Sequence, residues 1–331
     1  MKRREFFTLL GGAAIASSAS WPHAARAQSA RLRRIGVLAT AMADDPAYAA
    51  NLNAFTLDLA KLGWTENQTV QFDLRRDNTD AGRIRSAAAD LVRAAPDVIF
   101  VGSLATLDEV ARATKTIPIV FVNSVDPVGA GLVPSLARHD SNITGFTSVE
   151  PSTSGKWLEL LKEVNPGLSA ALVLFNSGPA PKLRLPAIEA AAQALNVRLA
   201  TADVRTDADI EQAIDAFAGG PNSGLIVLPG PVNQNRRAII IARAAKHHIA
   251  AVYPDRRYVE SGGLMSYATD LLDQYRGAAR YVDRILRGAK PGDLPIQQPT
   301  KFELVINLKT AKAQGLDIPW FLQQRADEVI E

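Results

Sequence analysis

The chain contains no cysteine. Disulfides, thiol nucleophiles and thiolate metal sites are therefore excluded. Histidine is scarce too: beyond the first 27 residues only His139, His247 and His248 remain. His247 and His248 are neighbours late on an expected helix. Adjacent side chains there point about 100° apart and do not share a metal on one face. Polar residues near the negative carbonyls of a helix end are the ordinary use of such a pair. No Gly-x4-Gly-Lys-Ser/Thr loop, Gly-x-Ser-x-Gly elbow or His-Glu-x-x-His segment occurs. The nearest approach to a dinucleotide fingerprint is GAGLVP, Gly129 to Pro134, which lacks the third glycine and follows Asp-Pro rather than a strand. Acid pairs such as Asp44-Asp45 and Asp207-Asp209 fit turns and helix N-termini. The expectation is a protein with no catalytic residues, no metal and no cofactor, although carboxylate pairs can assemble from distant segments.

The start of the chain, MKRREFFTLLGGAAIASSASWPHAARAQ, has a basic end, a mildly apolar middle and Ala25-Arg26-Ala27 before Gln28. That is the layout of a signal peptide with small-x-small cleavage near Ala27. Arg3-Arg4 before Phe6-Phe7 resembles a twin-arginine export signal, with Lys2 where Ser or Thr usually stands. An ordinary secretory signal with two arginines is the alternative. The apolar part is too short and too rich in Gly and Ser to span a membrane. With no cysteine, lipid anchoring through one is excluded. Removing residues 1–27 takes Lys2, Arg3, Arg4 and Arg26 on one side and Glu5 on the other, leaving 33 basic and 33 acidic residues. No basic field remains to argue for nucleic acid. The expected location is periplasmic, soluble, with no direct membrane anchor.

At 47% hydrophobic and 21% charged, 331 residues support a large core and about two domains. The mature chain alternates. RRIGVLAT reads as a strand with a small-residue end, and Ala47 to Gly63 as a helix stopped by Gly63. TVQFDLRR alternates as a strand does; AGRIRSAAADLVRAAP is a helix ended by Pro96. DVIFVGS is fully apolar, as a parallel sheet covered on both faces requires. A helix from Leu104 to Lys115 and the strand IPIVFV follow. After SNITGFTS the alternation restarts with strands AALVLFN, VRLATADV, SGLIVLPGP and AAVYPD, separated by helices, among them one expected over QNRRAIIIARAAKHHI. The pattern predicts an α/β chain of two doubly wound parallel-sheet lobes. The remainder, from Gly262, holds a strand, a long helix and a late strand, which extend the second lobe or cross back to complete the first.

Ligands of open parallel sheets bind beyond the carboxyl ends of strands. Those ends carry Ala39-Thr40, Gly102-Ser103, Asn123-Ser124, Asn176-Ser177, Pro229-Gly230 and Tyr253. Glycine admits a ligand to the backbone, and a hydroxyl at a helix start joins free amides in favouring an anion. Small residues also occur at such turns for packing alone; the set together points to a cleft for a carboxylate.

Several stretches carry a resemblance: AFTLDLAKLGW, PDVIFVGS, IPIVFVNSVDPVGAGLV, NITGFT, YPDRRYVESGGLMSYATD and LPIQQPTKFELVINLKTAKAQGL. Arg33 to Glu331 resembles a periplasmic substrate-binding protein of an ABC importer, of the type I periplasmic binding protein group. It is most similar to the branch with tryptophan- and tyrosine-binding receptors. Two departures stand out: LGWTENQTV lacks the family's frequent Gly-Arg-Asn, and Asn123-Ser124 falls where relatives often have Ala or Gly.

The resemblance implies lobes joined by a three-crossover hinge and closing on a ligand. It implies a first lobe of 31–145 plus about 269–290, with the long helix after Asp270 returning to it, and a second of 146–268 plus about 291–331. Ser103, Leu104, Ala105 and Thr106 become the carboxylate cradle. Asn123, Ser124 and Asp126 line the hinge side, with Thr40 at the first strand's end. Thr147, Asn176, Ser177 and Asp255 contribute from the second lobe. Asp126 or Asp255 pairs with a ligand ammonium, or else Asp126 starts a turn and Asp255 caps a helix. Tyr253, Tyr258 and Tyr267 stack on an aromatic ligand or form core. The expected function is capture of a small organic carboxylate, an aromatic or branched amino acid or related acid. A monomer then delivers it to an inner-membrane ABC permease. A ligand-presenting partner of a sensor kinase and an exported α/β hydrolase are the alternatives.

Overall fold

The computed structural model describes residues 31–39, 46–76, 81–124, 126–137, 139–148, 154–177, 179–218 and 222–331. The signal-peptide reading and Thr40 lie outside them. Two compact units divide the chain, and the second, Leu32–Glu331, holds everything below.

The first lobe is built from β1 (Arg33–Leu38), α1 (Pro46–Lys61), β2 (Val70–Arg75), α2 (Ala81–Arg93), β3 (Val98–Val101), α3 (Leu104–Ala113), β4 (Ile119–Ser124) and β5 (Ile143–Thr147). Its sheet runs β2-β1-β3-β4-β5, every pairing parallel. The central strands are buried on both faces because helices cover both, so they read as unbroken apolar runs. Phe55 of α1 stacks on Phe100 of β3 with centroids 4.4 Å apart.

The second lobe follows with α4 (Lys156–Val164), β6 (Ala170–Phe175), α5 (Pro179–Ala194), β7 (Arg198–Asp203), α6 (Asp207–Phe217), β8 (Ser223–Val227), α7 (Pro231–Asn235), α8 (Arg237–Lys246), β9 (Ala250–Tyr253), α9 (Arg256–Glu260) and β10 (Met265–Thr269). The expected single helix over QNRRAIIIARAAKHHI is two, divided at Arg236, whose φ of −109° interrupts the helical path. Next comes the long helix α10 (Leu271–Leu286), then β11 (Phe302–Asn307), α11 (Leu308–Ala313), α12 (Trp320–Arg325) and β12 (Glu328–Ile330). The second sheet runs β12-β11-β10-β9-β8-β6-β7. β11 is antiparallel to β10, so this sheet is mixed rather than wholly parallel. Re-entry explains it: the chain comes back at the edge where β10 ends and must run the opposite way.

Periodicity left α10 open between lobes, and packing decides. Tyr275, Ala278, Ala279, Val282, Ile285 and Leu286 join the core of β1, β3, β4 and α1. Leu294 and Ile296 also bury in the first lobe, so the chain stays there to 296, past the expected exit near 290. Three crossovers therefore join the lobes, after β5, after β10 and before β11. They are bonded to one another. Thr147 N–H donates to Gln297 O (2.9 Å), Gln297 N–H to Gly145 O (2.9 Å), Asp270 N–H to Lys301 O (3.1 Å), and the Thr269 hydroxyl to Ser148 O (3.2 Å). Gly277 is required here: a Cβ would fall 2.6 Å from the Phe146 ring.

Tyr253 and Tyr258 stack inside the second lobe, centroids 5.0 Å apart and both fully buried. The Tyr258 hydroxyl is buried without a hydrogen-bond partner. Deleting it removes an unsatisfied polar group and no hydrogen bond. Tyr258→Phe is expected to leave stability unchanged or raise it by up to about 1 kcal/mol in urea unfolding; a comparable loss would contradict this.

Candidate functional site

Both sheets present their carboxyl edges to the crossovers. β5 and β10 leave the sheets there and β11 enters there, so the strand ends of the two lobes converge on the hinge.

At β3 the edge carries Gly102-Ser103, with Ser103 the N-cap of α3. Thr106 N–H reaches Ser103 Oγ at 3.4 Å, and Ser103 N–H donates to Thr106 Oγ1 at 3.2 Å. The Thr106 hydroxyl donates to Ser103 O at 2.9 Å, and the two hydroxyl oxygens stand 3.0 Å apart. With the Thr106 proton directed to a carbonyl, the Ser103 hydroxyl is the donor between the two. Both hydroxyls are thus used inside the capping box, leaving the amides of Leu104 and Ala105 as the first-turn donors.

At β4 the edge is irregular. The register to β5 shifts between Phe121 and Ser124, and Asn123 has φ of 55°. Asparagine tolerates that left-handed conformation better than most residues. The bulge turns the Asn123 side chain to solvent while its N–H donates to Gln274 Oε1 at 3.0 Å. Gln274 Nε2 donates in turn to Thr147 O at 2.8 Å. A buried amide of α10 thereby clips the ends of β4 and β5 beside the first crossover. Ser124 is fully buried and its Oγ has no hydrogen-bond partner.

The other expected residues are held by their neighbours. Asp126 Oδ1 accepts from Gly129 N–H at 2.7 Å, a local turn. The Thr147 hydroxyl donates to Gln297 O at 3.4 Å. Asn176 Nδ2 donates to Val204 O at 2.8 Å, and its Oδ1 accepts from Asn233 N–H at 3.4 Å. Ser177 donates its hydroxyl and its amide to Asp203, and the hydroxyl above all holds that carboxyl below the usual range. Asp255 caps α9 and accepts from the Arg257 amide and guanidinium at 3.0 Å. Tyr253 is core, and burial pushes its phenol far above the usual value. Tyr267 stacks on Phe302 with centroids 5.3 Å apart.

A pocket of about 260 Å³ opens on the hinge, bounded by Phe146, Asp270, Asp273, Arg280, Gln298 and Lys301. None of the expected strand-end residues lines it. Among the described residues no three His, Asp or Glu gather so as to hold a metal ion, and no helix is long and apolar enough to cross a membrane.

Residues 35–330 match the family model of ABC transporter substrate-binding proteins. The chain belongs to that family. This substrate-binding protein is 25% identical over 298 residues to a tyrosine-binding protein of Clostridioides difficile (strain R20291), covering 87% of this chain and 82% of that one. A conserved domain protein from Vibrio cholerae superposes with a TM-score of 0.78 at 28% identity, over 90% of this chain and all of that one. An ABC domain in complex with L-Trp from Streptococcus pneumonia has a TM-score of 0.79 at 23% identity, with the same coverage, and shares the fold. The two-lobed type I fold and the resemblance to Trp- and Tyr-binding proteins stand on these matches.

Gln274 was not visible as a site residue in the sequence. Its signal is a polar residue on the buried face that also carries Ala278 and Val282. Gln274→Leu removes the acceptor of the Asn123 N–H and one donor to the Thr147 carbonyl. It is expected to cost about 2 kcal/mol or more in chemical unfolding and to speed amide exchange at Asn123. Unchanged stability and exchange would show that the clip carries nothing.

Proposed function

We propose that this protein captures a small organic carboxylate between its lobes and delivers it to an ABC permease from the periplasm, acting as a monomer after signal cleavage near Ala27. The observation that carries this reading is the convergence of both carboxyl edges on three crossovers bonded to one another. That geometry leaves two rigid lobes and one pivot. The amides of Leu104 and Ala105 and the exposed side chain of Asn123 meet the cargo from the first lobe. Ser103 and Thr106 hold the α3 end in shape. Asn176, Ser177 and Asp255 shape the opposing edge through the bonds described above. The tyrosine-binding relative and the L-Trp-bound neighbour support an aromatic amino acid or a related acid as cargo.

Delivery follows from differential binding. A cargo that touches both lobes favours the closed form by the contacts it makes only there. No bond is made or broken. A permease surface that recognises the closed arrangement then receives loaded protein in preference to empty.

A thermal-shift panel of L-tyrosine, L-tryptophan, L-phenylalanine, L-leucine and their deaminated acids tests the reading. A cargo at 100 times its Kd stabilises by about 2.7 kcal/mol, which raises the melting temperature by several degrees. At least one acid is expected to do so; a flat response across the panel at millimolar concentration would overturn the assignment.

A further inference from the structure

The pocket on the hinge is a groove with charged ends and an apolar middle. One stripe of α10 lines it, with Asp270 and Asp273 at the start, Gly277 midway, and Arg280 and Tyr281 at the far end. Positions three and four apart share a helix face, so these residues lie along one line. The third crossover runs beside that stripe in the opposite sense. Lys301 meets the start of α10: its carbonyl takes the Asp270 N–H at 3.1 Å and its ammonium donates to the Asp273 carboxylate at 2.6 Å. Gln297 meets the far end, donating its side-chain amide to the Tyr281 hydroxyl at 3.1 Å, and that hydroxyl donates to Pro295 O at 2.7 Å. Between the ends stand the buried Pro299, the half-buried Phe146 and Gly277, which has no side chain to fill the groove.

Four charged side chains line the groove, and only two of them meet. Lys301 neutralises Asp273. Asp270 has no ion pair among the described residues; its carboxylate caps the helix, accepting from Asp273 N–H at 3.0 Å. Arg280 has neither an ion pair nor a side-chain hydrogen bond among the described residues. Ten positions separate these two, about 15 Å along the helix axis. An arginine stem leans back toward the helix N-terminus and closes roughly half of that gap. An unmet carboxylate and an unmet guanidinium at the two ends of an apolar groove are the complement of a dipolar chain. Such a molecule has an ammonium at one end, a carboxylate at the other and methylenes between. An α-amino acid does not match, because its two charges share one carbon. The volume of about 260 Å³ lies below that of drug-sized sites and suits a small metabolite.

We propose that the hinge groove binds a linear ω-amino acid, with its ammonium at Asp270 and its carboxylate at Arg280. The site is separate from the expected strand-end residues, none of which lines it, and it does not depend on a cargo between the lobes. Its walls are α10 and all three crossovers, so an occupant favours the lobe arrangement that keeps them at this spacing.

The test follows amide NMR shifts of isotope-labelled wild type, Arg280→Gln and Asp270→Asn. Each is titrated with 6-aminohexanoate, hexanoate and hexylamine at constant ionic strength. Both variants are expected to fold as wild type does, since Arg280 is exposed and asparagine caps a helix as well as aspartate. Wild type is expected to bind 6-aminohexanoate saturably at millimolar concentration, with the Gly277 and Gln298 amides shifting. Hexanoate and hexylamine, each with one charged end, bind at least about fivefold more weakly. Each variant weakens 6-aminohexanoate about 5- to 20-fold, the loss of one charged hydrogen bond partly screened by water. No saturable shift at those amides in wild type overturns the proposal. Equal binding of a single-ended probe overturns it too, as does undiminished binding in either variant. The probe comparison uses wild type alone, so it decides the question independently of how the variants fold.

Discussion

The Gln297 carbonyl takes the Thr147 amide, the Lys301 carbonyl takes that of Asp270, and Gln274 bridges Asn123 and Thr147 from beneath. These bonds tie three crossing strands into one short ribbon, and two separate cores hang from it. The first is packed by α1 and α10 on one face of its sheet and by α2 and α3 on the other. The second is divided likewise, between the Trp157 and Tyr253 sides. Cores of this kind resist deformation because they are close-packed. On the proposed reading, a change of shape is concentrated at the ribbon.

That division of stiffness gives the function its physics. Cargo alters the balance between arrangements only through contacts that differ between them. Groups at the carboxyl edges make such contacts; groups inside a lobe do not. The bulge at Asn123 is informative for this reason. It holds a polar side chain outward in a left-handed backbone conformation that asparagine tolerates, with its amide tied to Gln274. Arg184 presents the opposite condition, a guanidinium held inward over the Trp157 ring with its Nε unpartnered.

Much of the fold was legible because the strands are buried on both faces and so are continuous apolar runs, as in VIFV and IVFV. Helices showed through their spacing. The destination of α10 was not legible from spacing, because an amphipathic helix fits either lobe and only the Phe55, Phe100 and Tyr275 cluster decides. The reversal of β11 was hidden for a related reason: strand direction depends on where the chain re-enters. Candidate site residues were found by their place at strand ends or by the family resemblance, neither of which says whether a side chain is free. Asn176, Ser177 and Asp255 turned out to be bonded to neighbours distant in sequence or just beyond them. The burial of Arg184 was missed although its signal was present. It shares a helical face with Ile188 and Ala192, both buried, so a charge there was destined for the interior.

The account depends on two stiff lobes turning about the crossovers when cargo binds. The absence of cysteine makes this directly measurable. Spin labels at Arg75→Cys and Arg205→Cys stand at the carboxyl ends of β2 and β7, the strands farthest in each sheet from the hinge. Pulsed dipolar spectroscopy is read without cargo and with saturating L-tyrosine or 3-(4-hydroxyphenyl)propionate. The account predicts a distance distribution that shortens and narrows when acid is bound. An unchanged distribution in protein shown by thermal shift to hold the acid would contradict it.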